Sequence, residues 1–142
     1  MGAELVCLAL TVYFEARSEP LLGQVAVAQV ALNRVESPEY PDTLCEVVKQ
    51  GDVKRHRCQF SYWCDGKSDE PKDRRAWRRA KVAATLAYEG VLDAGIGNAT
   101  HYHATYVSPY WTNDFAHVAT IGQHEFYAPI ERVALASADF MR

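Results

Sequence analysis

The sequence has no Cys-x-x-Cys pair and no His-Glu-x-x-His, the spacings typical of small structural zinc sites and of zinc peptidases. It has no excess of positive charge. Fifteen Lys and Arg stand against 18 Asp and Glu, and a net charge of −3 gives no electrostatic case for nucleic acid as a partner. No apolar run approaches the ~18 residues that a membrane-spanning helix needs, so no membrane partner is expected either. The N-terminal apolar stretch contains Glu4 and lacks a basic n-region and a small-residue cleavage site, so it does not read as a signal peptide. No internal repeat, low-complexity tract or interdomain linker is visible. The expected organisation is therefore one domain, 1–142, monomeric and long enough to bury a real core.

What the chain does have is a pair of apolar helical patterns meeting at a short polar break, Glu15-Ala16-Arg17-Ser18-Glu19-Pro20. The first, about residues 3–16, is apolar on nearly every side. The second, about residues 20–36, is apolar from Val25 to Leu32 and carries Ala26, Ala28 and Ala31, small enough for other elements to pack close. Helices apolar all round are normally buried, so these two are expected at the centre of the molecule. Ser18 reads as the N-cap of the second helix and Pro20 as part of its first turn. Glu15 then ends a buried helix, behind Tyr13 and Phe14. Partly desolvated among aromatic rings, its carboxyl is expected to hold a proton above the usual carboxylate range, which suits a general acid. The competing reading is structural: an ion pair with Arg17 or Arg34, or a hydrogen bond to a backbone amide at the break.

Further along, Pro38 and Pro41 mark a turn, and Asp42 or Thr43 caps a short helix over 44–50 with Leu44, Val47 and Val48 inward. Residues 52–58 read as a polar, basic loop, 59–63 as a short polar-aromatic segment, and 65–71 as a second loop. A third long helix runs from about 73 to 89. Its apolar stripe is Ala76, Trp77, Ala80, Ala83, Ala84, Ala87 and Tyr88; the opposite face holds Arg74, Arg75, Arg78, Arg79 and Lys81. Such a run is ordinarily a solvated face, and contact with an anionic polymer is its functional meaning. After Gly90, Gly95 and Gly97 the character changes. Residues 101–106 and 125–127 are rich in β-formers, 118–122 reads as a further strand, Gly122-Gln123 as a hairpin turn and 108–114 as an aromatic loop. The fold class is α+β, mostly helical, with one small antiparallel sheet near the C-terminus.

Four cysteines allow three fully paired connectivities. Cys58 and Cys64 flank 59–63 and are placed to close a small loop. Cys7, in the middle of an apolar helix, reads as a buried free thiol.

Three groups of residues carry chemical potential. Glu15 and Glu19 are four apart, but the break at Ser18-Pro20 means they need not share a helical face, and Glu19 also suits a helix N-terminus electrostatically. A glycosidase working through two carboxylates needs them about 5–5.5 Å apart for retention or about 6.5–9.5 Å for inversion. His101 and His103 would share one strand face, with His117 and His124 nearby, the residue types for a zinc hydrolase. No carboxylate or cysteine is spaced to complete such a site. Tyr62, Trp63, Tyr102, Tyr106, Tyr110 and Trp111 lie in or beside loops and mix with Gln59, Ser61, Asn113 and Asp114. Flat apolar faces with polar tips are what a sugar-binding groove requires. A Cys64–His103 nucleophilic pair is possible on residue types, without a motif to support it.

These residues also carry a resemblance. Tyr13-Phe14-Glu15-Ala16-Arg17-Ser18-Glu19 resembles the Tyr-x-Glu-Ala-Arg-Gly-Glu signature of the SleB/CwlJ-type cell wall hydrolases, the spore cortex-lytic family. The likeness continues through residues 23–28, 32–35, Ser37-Pro38, Gln59-Phe60-Ser61, Tyr102-His103-Ala104, Trp111 and 120–127, in the family's order. Ser18 stands where the family usually has glycine. The resemblance implies a lysozyme-like, resuscitation-promoting-factor-like catalytic domain acting on peptidoglycan glycan strands, without a cofactor or metal. It places the catalytic glutamate on Glu15. Glu19 is a secondary candidate, and Gln59, Ser61, Tyr102, His103 and Trp111 are candidate substrate contacts, with 59–63 and 102–111 expected to line one groove around Glu15. The reaction implied is lytic transglycosylation between MurNAc and GlcNAc, or hydrolysis if water attacks. The alternatives are a zinc-dependent peptidoglycan amidase and a non-catalytic glycan-binding module. Action at the cell wall is expected. Without a visible signal peptide, a phage endolysin released by a holin or a trimmed bacterial enzyme fits that expectation.

Overall fold

The computed structural model of the chain describes residues 1–50 and 70–130. The expectations for the loop and aromatic segment over 52–68, and for Cys58 and Cys64, lie outside the described residues. Helix α2 (Leu21–Glu36) is the axis of the fold: every residue from Gly23 to Ala28 is buried, as are Val30, Ala31 and Arg34. Helices α1 (Ala3–Ala16) and α4 (Arg74–Tyr88) pack against it and against each other. Alanine builds the seams. Ala9 and Ala16, Ala26, Ala28 and Ala31, and Ala76, Ala80, Ala83, Ala84 and Ala87 are all buried, so backbones approach closely and dispersion contacts replace bulk. α4 runs antiparallel to α1. Asp73 N–H, at its start, donates to Tyr13 Oη at 3.1 Å near the end of α1, while Arg78, Lys81 and Thr85 share a cavity wall with Met1.

The helix ends follow local chemistry. Asp73 caps α4 by accepting from Ala76 N–H at 3.0 Å, and Thr43 caps α3 (Leu44–Val48) by accepting from Glu46 N–H at 3.2 Å. α3 turns Leu44, Val47 and Val48 inward, as its pattern predicts. The start of α2 differs from expectation. Pro20 itself is the N-cap, in extended conformation and without a side-chain cap, so Ser18 does not have that role. Tyr88 also departs from the predicted apolar stripe of α4: it is half exposed at the last turn, where the stripe drifts off the helix bundle.

Cys7 is not a free thiol. It is bonded to Cys45 in α3, and a second tie, Cys45 N–H donating to Glu4 at 3.1 Å, joins the same two helices. The apolar context of Cys7 is real, but it gives no sign of a partner 38 residues away. Such a crosslink stabilises mainly by restricting the unfolded chain, typically by about 2–4 kcal/mol.

The C-terminal half supplies a three-stranded antiparallel sheet in the order β1 (His101–Ala104), β3 (His124–Pro129), β2 (Phe115–Ile121). β2 begins three residues before the strand expected at 118, and the aromatic loop before it contains a 3₁₀ turn, Tyr110–Asp114. The register sets Tyr102 opposite Phe126 and His103 opposite Glu125, with an irregularity in β2 between His117 and Ala119. Alternation then gives the sheet two unlike faces. On the inner face Tyr102, His124 and Phe126 pack ring to ring, with Phe126 fully buried in the core. α2 holds the approach to this sheet from behind. Asn33 Nδ2 donates to Gly97 O at 2.9 Å and Ala99 O at 2.8 Å, and Arg34 Nε donates to Thr100 O at 2.7 Å.

Candidate active site

The break between α1 and α2 is where helix, helix and sheet meet. Glu15 lies in the last turn of α1 and is half-buried. The turn that carries it is fixed from several sides. Tyr13 is buried, its ring meeting Phe14 edge-on at 4.8 Å and Trp77 edge-on at 6.1 Å, and the Arg17 guanidinium lies 4.9 Å above it. Gln24 sits under the break and donates to Glu19 O at 3.2 Å and, at 3.4 Å, to Arg17 O. Arg79 of α4 adds a bond to Glu19 O at 3.3 Å. These donors satisfy carbonyls of the break between the helices, which gives the buried Gln24 amide N–H groups their acceptors.

Glu19 is spent differently from Glu15. It is buried, and its Oε1 accepts the backbone N–H of Gln123 at 2.8 Å across the chain. It also packs on Gly122, the positive-φ residue of the β2–β3 turn, so closely that a Cβ there would stand 2.7 Å from Oε1. His124 Nδ1 lies 3.3 Å from the same oxygen, without hydrogen-bond alignment. Burial lowers the His124 pKa, opposed by the Glu19 charge and assisted by His103, so the ring is mainly neutral at pH 7. The Glu19 carboxylate is thus a latch between the α1–α2 break and the hairpin tip.

The outer face of the sheet presents an aromatic and histidine cluster. His103 and Trp111 have ring centroids 5.8 Å apart, Trp111 and Tyr127 5.3 Å, and His103 and Tyr127 stack at 5.2 Å. His103 Nδ1 lies 2.7 Å from Ala104 O, which can only accept, so that nitrogen carries the proton and Nε2 accepts from Tyr127 O–H at 3.0 Å. His101 sits against Phe115 and Trp111, and burial, with the Arg34 charge behind it, lowers its pKa to about 4. At the far edge Glu125 accepts from Thr120 and is 2.9 Å from His117 Nε2, bonds that hold its carboxyl below the usual range.

The sequence-derived candidates are therefore distributed. His103 and Trp111 come together on the outer face, but Tyr102 points to the inner face, where its hydroxyl is buried. Neighbours in a strand alternate, so Tyr102 and His103 do not line one surface. Gln59 and Ser61 lie outside the described residues. Among the described residues no three His, Cys, Asp or Glu side chains gather as a metal-binding group. Sequence reasoning passed over Tyr127, Thr120 and the pairing of His117 with Glu125. The alternation of β3, read against β1 and β2, was the signal that could have found them.

The cell wall hydrolase family profile matches residues 18–127, most of the chain. The chain belongs to the cell wall hydrolase family. Glu15 lies three residues before the matched span. Spore cortex-lytic enzymes of Halalkalibacterium halodurans and Oceanobacillus iheyensis are each 34% identical, over 84% and 81% of this chain. The alignments cover 33% and 38% of those relatives, so the chain spans about a third of the length of the curated relatives it matches. A shorter alignment, 60% identical over 37 residues, joins it to the spore cortex-lytic enzyme of Bacillus cereus. The fold matches two solved catalytic domains. The catalytic domain of the Bacillus cereus SleB protein superposes with a TM-score of 0.69 at 33% identity, covering 87% of this chain and 88% of that one. The catalytic domain of the germination-specific lytic transglycosylase SleB from Bacillus anthracis gives 0.70 at 32% identity, over 89% and 96%. The α+β cell wall hydrolase fold is thus the one expected.

Proposed function

We propose that this domain cleaves peptidoglycan glycan strands between MurNAc and GlcNAc, with Glu15 as the acid and base. The observation that carries the reading is a half-buried glutamate in the last turn of α1, on a junction braced by Tyr13, Gln24 and Glu19, in a cell wall hydrolase fold. Protonated Glu15 donates to the glycosidic oxygen as the C–O bond breaks through an oxocarbenium-like state. The Glu15 carboxylate then takes the proton of the C6 hydroxyl of the same muramyl residue. That oxygen bonds to C1 and leaves a 1,6-anhydro end. One carboxyl group serves both proton transfers, so Glu19 is free to remain a latch. His103 and Trp111 are the proposed sugar contacts on the outer face, with Gln59 and Ser61 as further contacts and Tyr102 supporting the strand from the inner side. The site of action is the cell wall and the acting unit a monomer.

Mass spectrometry of the soluble products from purified peptidoglycan tests this reading. Anhydro-muropeptides are expected. Muropeptides with ordinary reducing ends would make water the nucleophile at the same site. Free stem peptides with uncut glycan would replace the proposal with an amidase.

A further inference from the structure

The helical bundle carries a concentration of positive charge that its internal contacts, Arg17 over Tyr13 and Arg79 to Glu19 O, engage only in part. Arg74, Arg75, Arg78 and Arg79 are exposed on α4, and Arg17 is exposed on the adjoining break. None of these arginines pairs with a carboxylate among the described residues; the close side-chain contacts to carboxylates there, His117 with Glu125 and His124 with Glu19, are made by histidines. The whole chain has a net charge of −3, so this is a local excess against the overall balance. It is also unfavourable to the helix. Arg74 and Arg75 occupy the first turn of α4, the positive end of its dipole; that turn itself has no acidic residue, and the N-cap Asp73 is engaged with Ala76 N–H. Arg74 with Arg78, and Arg75 with Arg79, are like-charge pairs at i, i+4.

Its position links it to the junction. α4 is antiparallel to α1, so the turn with Arg74 and Arg75 lies at the Glu15 end of the bundle: Asp73 N–H meets Tyr13 Oη, and Arg79 reaches Glu19 O. We infer that this arginine row binds the carboxylates carried by the stem peptides of a peptidoglycan strand lying at the α1–α2 junction. Resting on the proposed peptidoglycan substrate, it makes peptide-bearing, anionic strands the preferred ones. Guanidinium groups suit the task because each can hold a carboxylate with two parallel hydrogen bonds.

The experiment uses purified sacculi freed of phosphodiester-linked polymers, half of them with their carboxylates capped as neutral amides by carbodiimide and ethanolamine. The wild-type chain and a variant carrying Arg74→Gln, Arg75→Gln and Arg78→Gln are compared for pelleting with the sacculi and for KM and kcat of release. Capping should weaken wild-type binding and raise KM about tenfold with kcat retained, as three moderately exposed charge contacts would. The variant should bind native sacculi as weakly as the wild type binds capped ones, respond little to capping, and melt no lower than the wild type. Added salt should weaken the wild type on native sacculi and leave the variant nearly unchanged. Equal binding of native and capped sacculi would overturn the inference. So would a variant that loses as much on capped sacculi as on native ones, or wild-type binding that appears only when phosphodiester polymers are left in place. Carboxylate-dependent pelleting without glycan cleavage would sink the proposed reaction while supporting this surface.

Discussion

Two glutamates flank the same break, and the structure uses them in opposite ways. Glu19 is enclosed: its carboxylate receives Gln123 N–H and lies against Gly122, and its carbonyl receives Gln24 and Arg79. Glu15, four residues earlier, keeps part of its surface open on a turn whose neighbours are locked. A buried carboxylate that organises the fold needs a hydrogen-bond partner to offset its desolvation, and Glu19 has Gln123 N–H. One that delivers a proton to a polymer must be approachable and held in place. Residue type and spacing do not distinguish the two; the burial of Glu19 and its contacts with Gln123 and Gly122 do.

The largest expected effect is in activity. Glu15→Gln should lower kcat/KM by about 10²–10⁴-fold with circular dichroism unchanged, whereas Glu19→Gln, which can still accept from Gln123, should stay within about tenfold of the wild type. A reversed order would exchange the two roles. Reduction, or paired Cys7→Ser and Cys45→Ser substitution, should cost about 2–4 kcal/mol in a denaturant titration by freeing α1 from α3. Unchanged stability would show that Glu4 and packing already hold that contact. Gly122→Ala should cost about 1–2 kcal/mol from the left-handed backbone alone, and more through the crowded Glu19 oxygen. In a Glu19→Ala background that extra part should vanish, and a cost that stays additive would argue against the latch.

The last expected effect concerns acid stability. The His101 pKa is lowered from 6.5 to about 4 in the folded chain, so between those values the unfolded chain binds a proton that the folded one does not. Its contribution is fully present above pH 6.5 and is lost as pH falls towards about 4. His124, also lowered, adds in the same direction. Thermal melts across this range should show Tm falling on the acid side, and His101→Phe should flatten that fall. An equal slope in the variant would assign the acid limb to other groups.

The helical half was legible because periodicity and alanine content leave few alternatives: a helix as apolar as residues 23–31 has to be central. Position 24 is the exception inside it; its amide donates to the Arg17 and Glu19 carbonyls of the break. The sheet was legible in outline, but not its faces. Tyr102 and His103 are adjacent in sequence, yet the strand period of two puts them on opposite sides of the sheet. The Cys7–Cys45 bond and the Glu19–Gln123 bond were not legible, since each joins residues whose nearness is created only by the tertiary fold. The arginine row was visible as composition. Its place beside the junction needed the antiparallel packing of α1 and α4.

The pH dependence of kcat/KM on soluble glycan fragments, measured for the wild type and for Glu15→Gln at pH values where both remain folded, tests the central claim most directly. If Glu15 supplies the proton, the wild-type profile has an alkaline limb that reports loss of that proton from the free enzyme, and the limb disappears from the residual activity of Glu15→Gln. An alkaline limb that persists unchanged in the variant would contradict the assignment and give the proton to another group.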